Sequence, residues 1–309
     1  MQPPVKIGTR DSELAVWQAI QVQKLLTEND IPTELVYIKS EGDLNTITPL
    51  YELGVQGIFT RTLDAALLNH RIDIAVHSMK DVPTQLANGI QKAAILKRGN
   101  WKDILVYKND RSFLDDHNGD AIIATSSVRR KAQWLHRYPN HTIENLRGNV
   151  NTRLRKVSEH NWNGAIFAAA GLERINLRPQ NSTDLDWMLP APAQGAIIIV
   201  CRENDEHAYN CCKAFNDENS ELCTWIERDF LRELGGGCST PISALAVIQN
   251  DRIIFRGNIY SPDGKAKIDI EKEISINGYK GLGKALAKEL LQDTAARDII
   301  LSIKNAKQY

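Results

Sequence analysis

The sequence predicts an α/β protein made of two lobes of similar construction, followed by a small α+β domain. Three observations carry that reading. Short apolar runs rich in β-branched residues alternate with amphipathic stretches as far as residue 201, the pattern of strands alternating with helices. One strand-turn-helix pattern occurs twice, as IGTRDSELAVWQ near residue 10 and as IATSSVRRKAQW near residue 127. Beyond residue 219, three strand-like runs follow one another on short turns instead of helices. At 309 residues, 42% hydrophobic and 25% charged, the chain is long enough for two or three cores of ordinary globular composition.

Val5 to Ile7 is a short strand and Gly8 to Arg10 its turn. Ser12 to Leu26 is an amphipathic helix with Leu14, Trp17, Val22 and Leu25 at helical spacing, capped by Thr9, Asp11 or Ser12. Thr33 to Ile38 is the next strand, Ser40 to Thr48 a polar loop, and GVQGIF at 54–59 a two-glycine turn ahead of a helix over Thr60 to Asn69. Ile72 to Val76 reads as a buried strand that delivers His77, Ser78, Lys80 and Asp81 to its carboxyl end before Pro83. In open α/β sheets that end is where ligands bind, because the following loops and helix N-termini offer unpaired donors. Gln91 to Leu96 is a further strand, and 97–101 crosses into the second lobe.

In that lobe Ala121 to Ala124 is a strand, Val128 to Tyr138 a helix, and LRGNVNTRLR a turn opening a helix from about Asn149. Gly164 to Ala170 is a small-residue strand placed as the Ile72 strand is in the first lobe. LPAPAQG crosses back at 189–195, which returns Ala196 to Cys201 to the first lobe and makes the two crossings a hinge. A helix over Ser220 to Leu234 stops at Gly235, Gly236 and Gly237. It opens the last domain, with strands over Ile242 to Ile248, Arg252 to Tyr260 and Lys265 to Ile274 and a helix over Tyr279 to Leu291. The expected domain limits are 1–97 with 196–217, then 98–195, then 218–309.

Lys+Arg and Asp+Glu number 38 each, so no global field draws the chain to nucleic acid or a membrane. Residues 121–180, however, hold ten Lys/Arg against the three acidic residues Glu144, Glu159 and Glu173, and that segment expects an anion. No apolar run is long enough to span a bilayer and the first residues hold no apolar signal segment, which reads as a cytoplasmic chain. The five cysteines lack paired CxxC spacing, which argues against a disulfide framework and against a metal site. Cys201, Cys211, Cys212 and Cys223 read as small buried hydrophobes. Cys238, after three glycines, is instead offered at a domain edge as a nucleophile or attachment point.

Arg10, Arg129, Arg130, Arg147, Arg153 and Arg174 all fall at turns or helix starts. Guanidinium forks match carboxylates two bonds at a time, so the expected ligand is a polycarboxylate or a phosphate ester. No P-loop or GxGxxG occurs, which weakens a nucleotide. On these residues three classes stay open: an enzyme using Asp81 and Cys238, a non-catalytic module that closes on a dicarboxylate, and a cysteine-dependent acyl transferase, which would need a histidine near Cys238.

In order along the chain, GTRDSELAVWQ, VHSMKDVP, TSSVRR, LRGNVNTRL, AAGLERI, LPAPAQGA and GGGCSTPI resemble the motifs of the porphobilinogen deaminase (hydroxymethylbilane synthase) family over essentially its whole length. The resemblance implies two lobes like those of periplasmic binding proteins, with mixed sheets flanked by helices, and a third domain with a three-stranded antiparallel sheet. It implies one covalent dipyrromethane cofactor per chain, held as a thioether on Cys238, with Asp81 as the catalytic carboxylate. Arg10, Ser12, Ser78, Lys80, Thr125, Ser127, Arg129, Arg130, Arg147, Arg153, Arg174 and Gln194 match cofactor- and substrate-binding positions, and Phe59 is expected over the cofactor.

The implied activity is a transferase of heme biosynthesis. It condenses four porphobilinogen molecules with loss of ammonia, through a cationic azafulvene stabilised by the carboxylate, and hydrolyses off hydroxymethylbilane (preuroporphyrinogen) for uroporphyrinogen-III synthase. A cytoplasmic monomer is implied, with no metal, nucleic acid or membrane. Gln56, Thr62 and Glu41 stand where many members of that family have lysine, glutamate and arginine, departures that bear on the loop's contribution to substrate charge balance and not on the implied reaction.

Overall fold

The computed structural model describes residues 3–39, 60–237 and 240–305. The first sheet takes β1 (Val5–Thr9), β2 (Thr33–Tyr37), β3 (Ile74–Ser78), β4 (Ile90–Ile95) and, from far along the chain, β10 (Ile197–Arg202), in the order β2-β1-β3-β10-β4. The second takes β5 (Asp103–Tyr107), β6 (Ile122–Ala124), β7 (Thr142–Glu144), β8 (Gly164–Ala168) and β9 (Ser182–Asp184), in the order β7-β6-β8-β5-β9. β1 lies parallel to β2 and β3, and β6 parallel to β7 and β8, whereas β10 and β5 run antiparallel to both of their neighbours. These are the two mixed-sheet lobes expected.

The helices α1 (Glu13–Thr27) and α2 (Arg61–Leu68) cover the first sheet, and α3 (Val128–Arg137), α4 (Val150–Glu159) and the short α5 (Ala169–Glu173) cover the second. The buried face of α1 is Gln18, Ala19, Val22 and Leu26. Of the residues at helical spacing, Val22 is buried and Leu14, Trp17 and Leu25 are half-buried; Trp17 packs against the core and Leu14 lines the cavity described below. Apolar residues pack on both faces of each sheet, as period-2 alternation in β-branched strands requires. Cys201, Cys212 and Cys223 are buried as expected, but Cys211 is only half-buried, on α6 (Glu206–Cys212), with its sulfur 3.8 Å from His207 Nε2.

The fourth strand of each sheet is the first one after a crossing, so the crossings run side by side. Gly99 N donates to Gly195 O at 3.0 Å. Gly195 has φ +87, and a Cβ there would sit 2.8 Å from the carbonyl oxygens of Gly99 and Asn100. Only glycine satisfies both the conformation and the approach.

The last domain packs α7 (Glu218–Glu233), α8 (Leu282–Leu290) and α9 (Thr294–Asn305) on an antiparallel meander of β11 (Ile242–Gln249), β12 (Arg252–Tyr260) and β13 (Lys267–Ser275). Its core includes an edge-on Phe230–Phe255 pair with centroids 5.1 Å apart, a geometry that contributes about 0.5–1.5 kcal/mol beyond area burial. A Cβ on Gly283 of α8 would meet Ile226 O at 2.1 Å, so α7 and α8 touch backbone to backbone. No helix among the described residues is long and apolar enough to cross a membrane.

Candidate active site

The first wall of the site is the turn after β3. Ile74, Ala75 and Val76 are buried between β1 and β10, and the strand runs out at Ser78, where Met79–Asp81 make a single 3₁₀ turn ahead of Pro83. Gln18 Nε2 donates to Ser78 Oγ at 2.8 Å and Met79 N to Ala196 O at 3.0 Å, so helix α1 and the second crossing both hold the turn. Lys80 and Asp81 then face a cavity. Lys80 Nζ donates to Gln194 Oε1 at 3.2 Å, and the fully buried Gln194 donates through Nε2 to Trp101 O at 2.9 Å and Asp103 Oδ1 at 3.0 Å. Burial pulls the Lys80 pKa down to about 8, against the opposing pull of Asp81. His77 does not line the cavity; burial, then the Arg10 charge, push its pKa down to about 4, so it is a neutral core histidine at neutral pH.

The second wall is built from helix starts. β6 ends at Thr125-Ser126-Ser127, where Ser127 caps α3 by accepting from Arg130 N at 3.4 Å, and Thr125 Oγ1 accepts from Ser127 N at 3.2 Å. Ser126 Oγ bonds Leu146 O at 2.6 Å and ties this turn to the next one. Asn149 caps α4 by accepting from Thr152 N at 2.9 Å, and Arg153, one turn on, donates through Nε to Gly148 O at 2.8 Å. Arg174 lies over the Trp17 ring at 5.7 Å and donates to Gly195 O at 2.6 Å.

Arg129, Arg130 and Arg147 are buried, which a solvated surface arginine would not be. The first two share Asp103, whose Oδ2 lies 2.7 Å from Arg129 Nη2 and whose Oδ1 accepts from Arg130 Nε at 3.0 Å and Nη2 at 2.7 Å. Burial alone would raise the Asp103 pKa; Arg129 and Arg130, with Gln194 and Lys80, overcome it and hold it at about 2. Burial draws Arg153 and Arg174 down to about 10 and lowers Arg129 and Arg147 as well. All four stay charged at neutral pH, so the wall is cationic and demands an anion. Arg153 is also shifted by the charges of Asp81 and Arg10 in the first lobe, which puts the two walls within electrostatic reach of each other.

One cavity of about 900 Å³ is lined by Asp81, Arg10, Ser12, Ser78, Lys80, Thr125, Ser127, Arg129, Arg130, Arg147, Arg153, Arg174 and Gln194. Phe59 and Cys238 lie outside the described residues, as do Gln56 and Glu41; Thr62 stands on α2 and does not line the cavity. The base of the Cys238 loop is pinned, with Thr240 N donating to Gly237 O at 3.2 Å and Thr240 Oγ1 to the same oxygen at 2.7 Å. Sequence reasoning missed Asp103, Glu227 and Arg228. The available signals were an acidic residue heading the apolar run DILV, and a Glu-Arg pair on a helix face shared with Cys223, Phe230 and Leu231.

The family model described as porphobilinogen deaminase, dipyromethane cofactor binding domain, matches residues 5–210, and that of the porphobilinogen deaminase C-terminal domain matches 221–292. A porphobilinogen deaminase of Campylobacter hominis is 39% identical over 309 residues, covering 98% of this chain and 98% of the relative. One of Syntrophomonas wolfei is 38% identical over 296 residues, covering 94% and 96%. Among solved structures, the periplasmic VFT2 domain of Bordetella pertussis BvgS is 12% identical with a TM-score of 0.42, over 71% of this chain and 90% of that one.

Proposed function

The chain belongs to the porphobilinogen deaminase family, and from that premise we propose that it condenses four porphobilinogen molecules head to tail, with loss of ammonia, onto a dipyrromethane carried on Cys238, and then hydrolyses off hydroxymethylbilane. The observation that carries this reading is the pairing of the Asp81 carboxylate, on a braced turn, with an opposing wall of buried arginines in a single cavity. A domain division at 97, 195 and 217 goes with it, as does a cytoplasmic monomer whose product passes to uroporphyrinogen-III synthase.

The donor set fits the group. Pyrroles bearing acetate and propionate chains are polycarboxylates, and Arg129, Arg130, Arg147, Arg153 and Arg174 offer planar forks from a cavity wall with one buried counter-ion, Asp103. When bound, the dipyrromethane supplies the primer for chain growth. Arg153 and Arg147 hold carboxylates at the opening of α4, where the backbone N–H groups add to their charge. Lys80, braced by Gln194, takes a further carboxylate beside Asp81.

Ammonia leaves most readily from the aminomethyl group in its ammonium form. The pyrrole nitrogen feeds electron density in behind it, and positive charge develops on the ring. Asp81 accepts a hydrogen bond from the pyrrole N–H and stabilises that charge, a role in which a carboxylate already held in place is worth more than one that must reorganise.

Peptide mapping of the purified protein by mass tests the reading. Two condensed pyrrole units are expected on the peptide containing Cys238 and none in Cys238→Ser. An unmodified Cys238 that stays unmodified after incubation with porphobilinogen would overturn it and favour a dicarboxylate-binding module.

A further inference from the structure

Helix α7 belongs to the third domain, yet two consecutive charged side chains on it are buried and reach groups outside that domain, Glu227 at 0% and Arg228 at 4% exposure. Glu227 is accounted for by the hinge. Its Oε1 accepts from Arg98 Nη1 at 2.6 Å and Ala246 N at 2.8 Å, and its Oε2 from Ala193 N at 2.6 Å, so it joins both crossings to β11.

Arg228 is aimed elsewhere. Its Nη1 donates to Met79 O and to Val82 O, both at 3.0 Å, and its Nη2 donates to Pro83 O. Those three carbonyls bracket Asp81. Met79 O also accepts from Val82 N within the turn at 3.3 Å, whereas Val82 O and Pro83 O lie past it, and a buried guanidinium is stable only where such acceptors stand close to it. The outer carbonyls and the guanidinium therefore serve one another. Gln18 and Ala196 secure the Ser78 and Met79 end of the turn, whereas Arg228 secures the Val82 and Pro83 end. The close approach of α8 at Gly283, against the backbone of Ile226 and Phe230, fixes the height of α7 two residues on either side of Arg228.

We propose that Arg228 is a positioning residue for Asp81: the third domain, through this one side chain, sets where the carboxylate stands in the cavity between the lobes. The proposal rests on the reading of Asp81 as the reacting carboxylate. It adds that the third domain holds the turn bearing the reacting group.

The test compares Arg228→Met and Arg228→Lys, alone and combined with Asp81→Asn, in the full chain. Displacement of a catalytic group by about 1 Å costs about 100-fold, so Arg228→Met is expected to lower kcat about 10- to 100-fold while KM stays within about twofold. Amide exchange over 79–82 should speed up about tenfold or more while β8 and β12 keep their protection. In the Asp81→Asn background the same change should cost less than about twofold, because the group it positions is gone. Arg228→Lys cannot span three carbonyls and should show the same pattern at smaller amplitude, and it serves if the methionine variant does not fold. Wild-type kcat in a folded Arg228→Lys, or a full repeat of the loss in the Asp81→Asn background, would overturn the proposal. Wild-type turnover in Asp81→Asn alone would instead remove the reading on which it rests.

Discussion

In the first sheet the strand order is β2-β1-β3-β10-β4 and in the second β7-β6-β8-β5-β9, with the antiparallel strand fourth in both. The turns that leave equivalent strands nonetheless carry different chemistry. After β3 stand Ser78, Met79, Lys80 and Asp81; after β8 stand Ala169, Ala170 and Gly171, which carry no charge and leave it to Arg174. After β1 comes one arginine, Arg10, and after β6 come two, Arg129 and Arg130, buried on Asp103. Topology thus decides only that a turn faces the cavity. The residue types on it decide whether that wall reacts or binds, and the bracing follows the same division. The arginine wall is held by acceptors of its own lobe, Asp103, Ile166 O and Leu189 O, while the Asp81 turn is held at one end by Gln18 and Ala196 of its own lobe and at the other by Arg228 of a different domain.

The sharpest way to break this division is to exchange the losses it assigns. Asp81→Ala should lower kcat by about 10²–10⁴-fold, the range for a positioned acid-base or charge-stabilising group, in a protein that folds and still carries its adduct. Steady-state ammonia release checks the rate, and circular dichroism with intact mass checks the fold and loading. Arg153→Leu removes a charge-assisted contact worth about 1.5–3 kcal/mol, so kcat/KM should fall about 10- to 100-fold, chiefly through KM. If Arg153→Leu struck kcat alone, or Asp81→Ala struck KM alone, the two walls would not divide binding from reaction.

Much of this arrangement was legible along the chain, for a local reason. Ile72 to Val76 and Ala196 to Cys201 are apolar runs that end in polar turns, and such an ending marks the carboxyl edge of a buried strand. β7 and β9 were not legible: Thr142–Glu144 and Ser182–Asp184 are three-residue polar edges with no periodicity to detect, and they are strands only because β6 and β5 offer ladder partners. β5 was missed because its apolar run starts directly at a crossing. Asp103 and Arg228 were hidden for a stronger reason. Arg130 lies 27 residues from Asp103, and the Met79 carbonyl lies 149 residues from Arg228, so the apolar neighbours of each hint at burial but do not say what its charge meets. Residue type points to an anionic ligand for the arginines; only the fold supplies what holds them.

The smallest expected effect tests whether the reacting wall also binds. Lys80 has its pKa drawn down to about 8 by burial, so its charge disappears within an accessible range. Titration from pH 7 to 9 takes it from about nine-tenths to about one-tenth protonated, and carboxylate affinity through Lys80 should weaken at most about tenfold. Stability should move the other way. A folded-state pKa below the unfolded lysine value means that the unfolded chain binds more protons between pH 8 and 10.5, so this group's contribution to folding becomes more favourable as pH rises across that window. KM for porphobilinogen measured against pH, beside thermal melts in the same buffers, separates the two. In Lys80→Met both slopes should flatten; a KM that still rises through pH 8 would assign that titration to another group and leave the first wall with Asp81 as its reacting charge and no binding role for its neighbour.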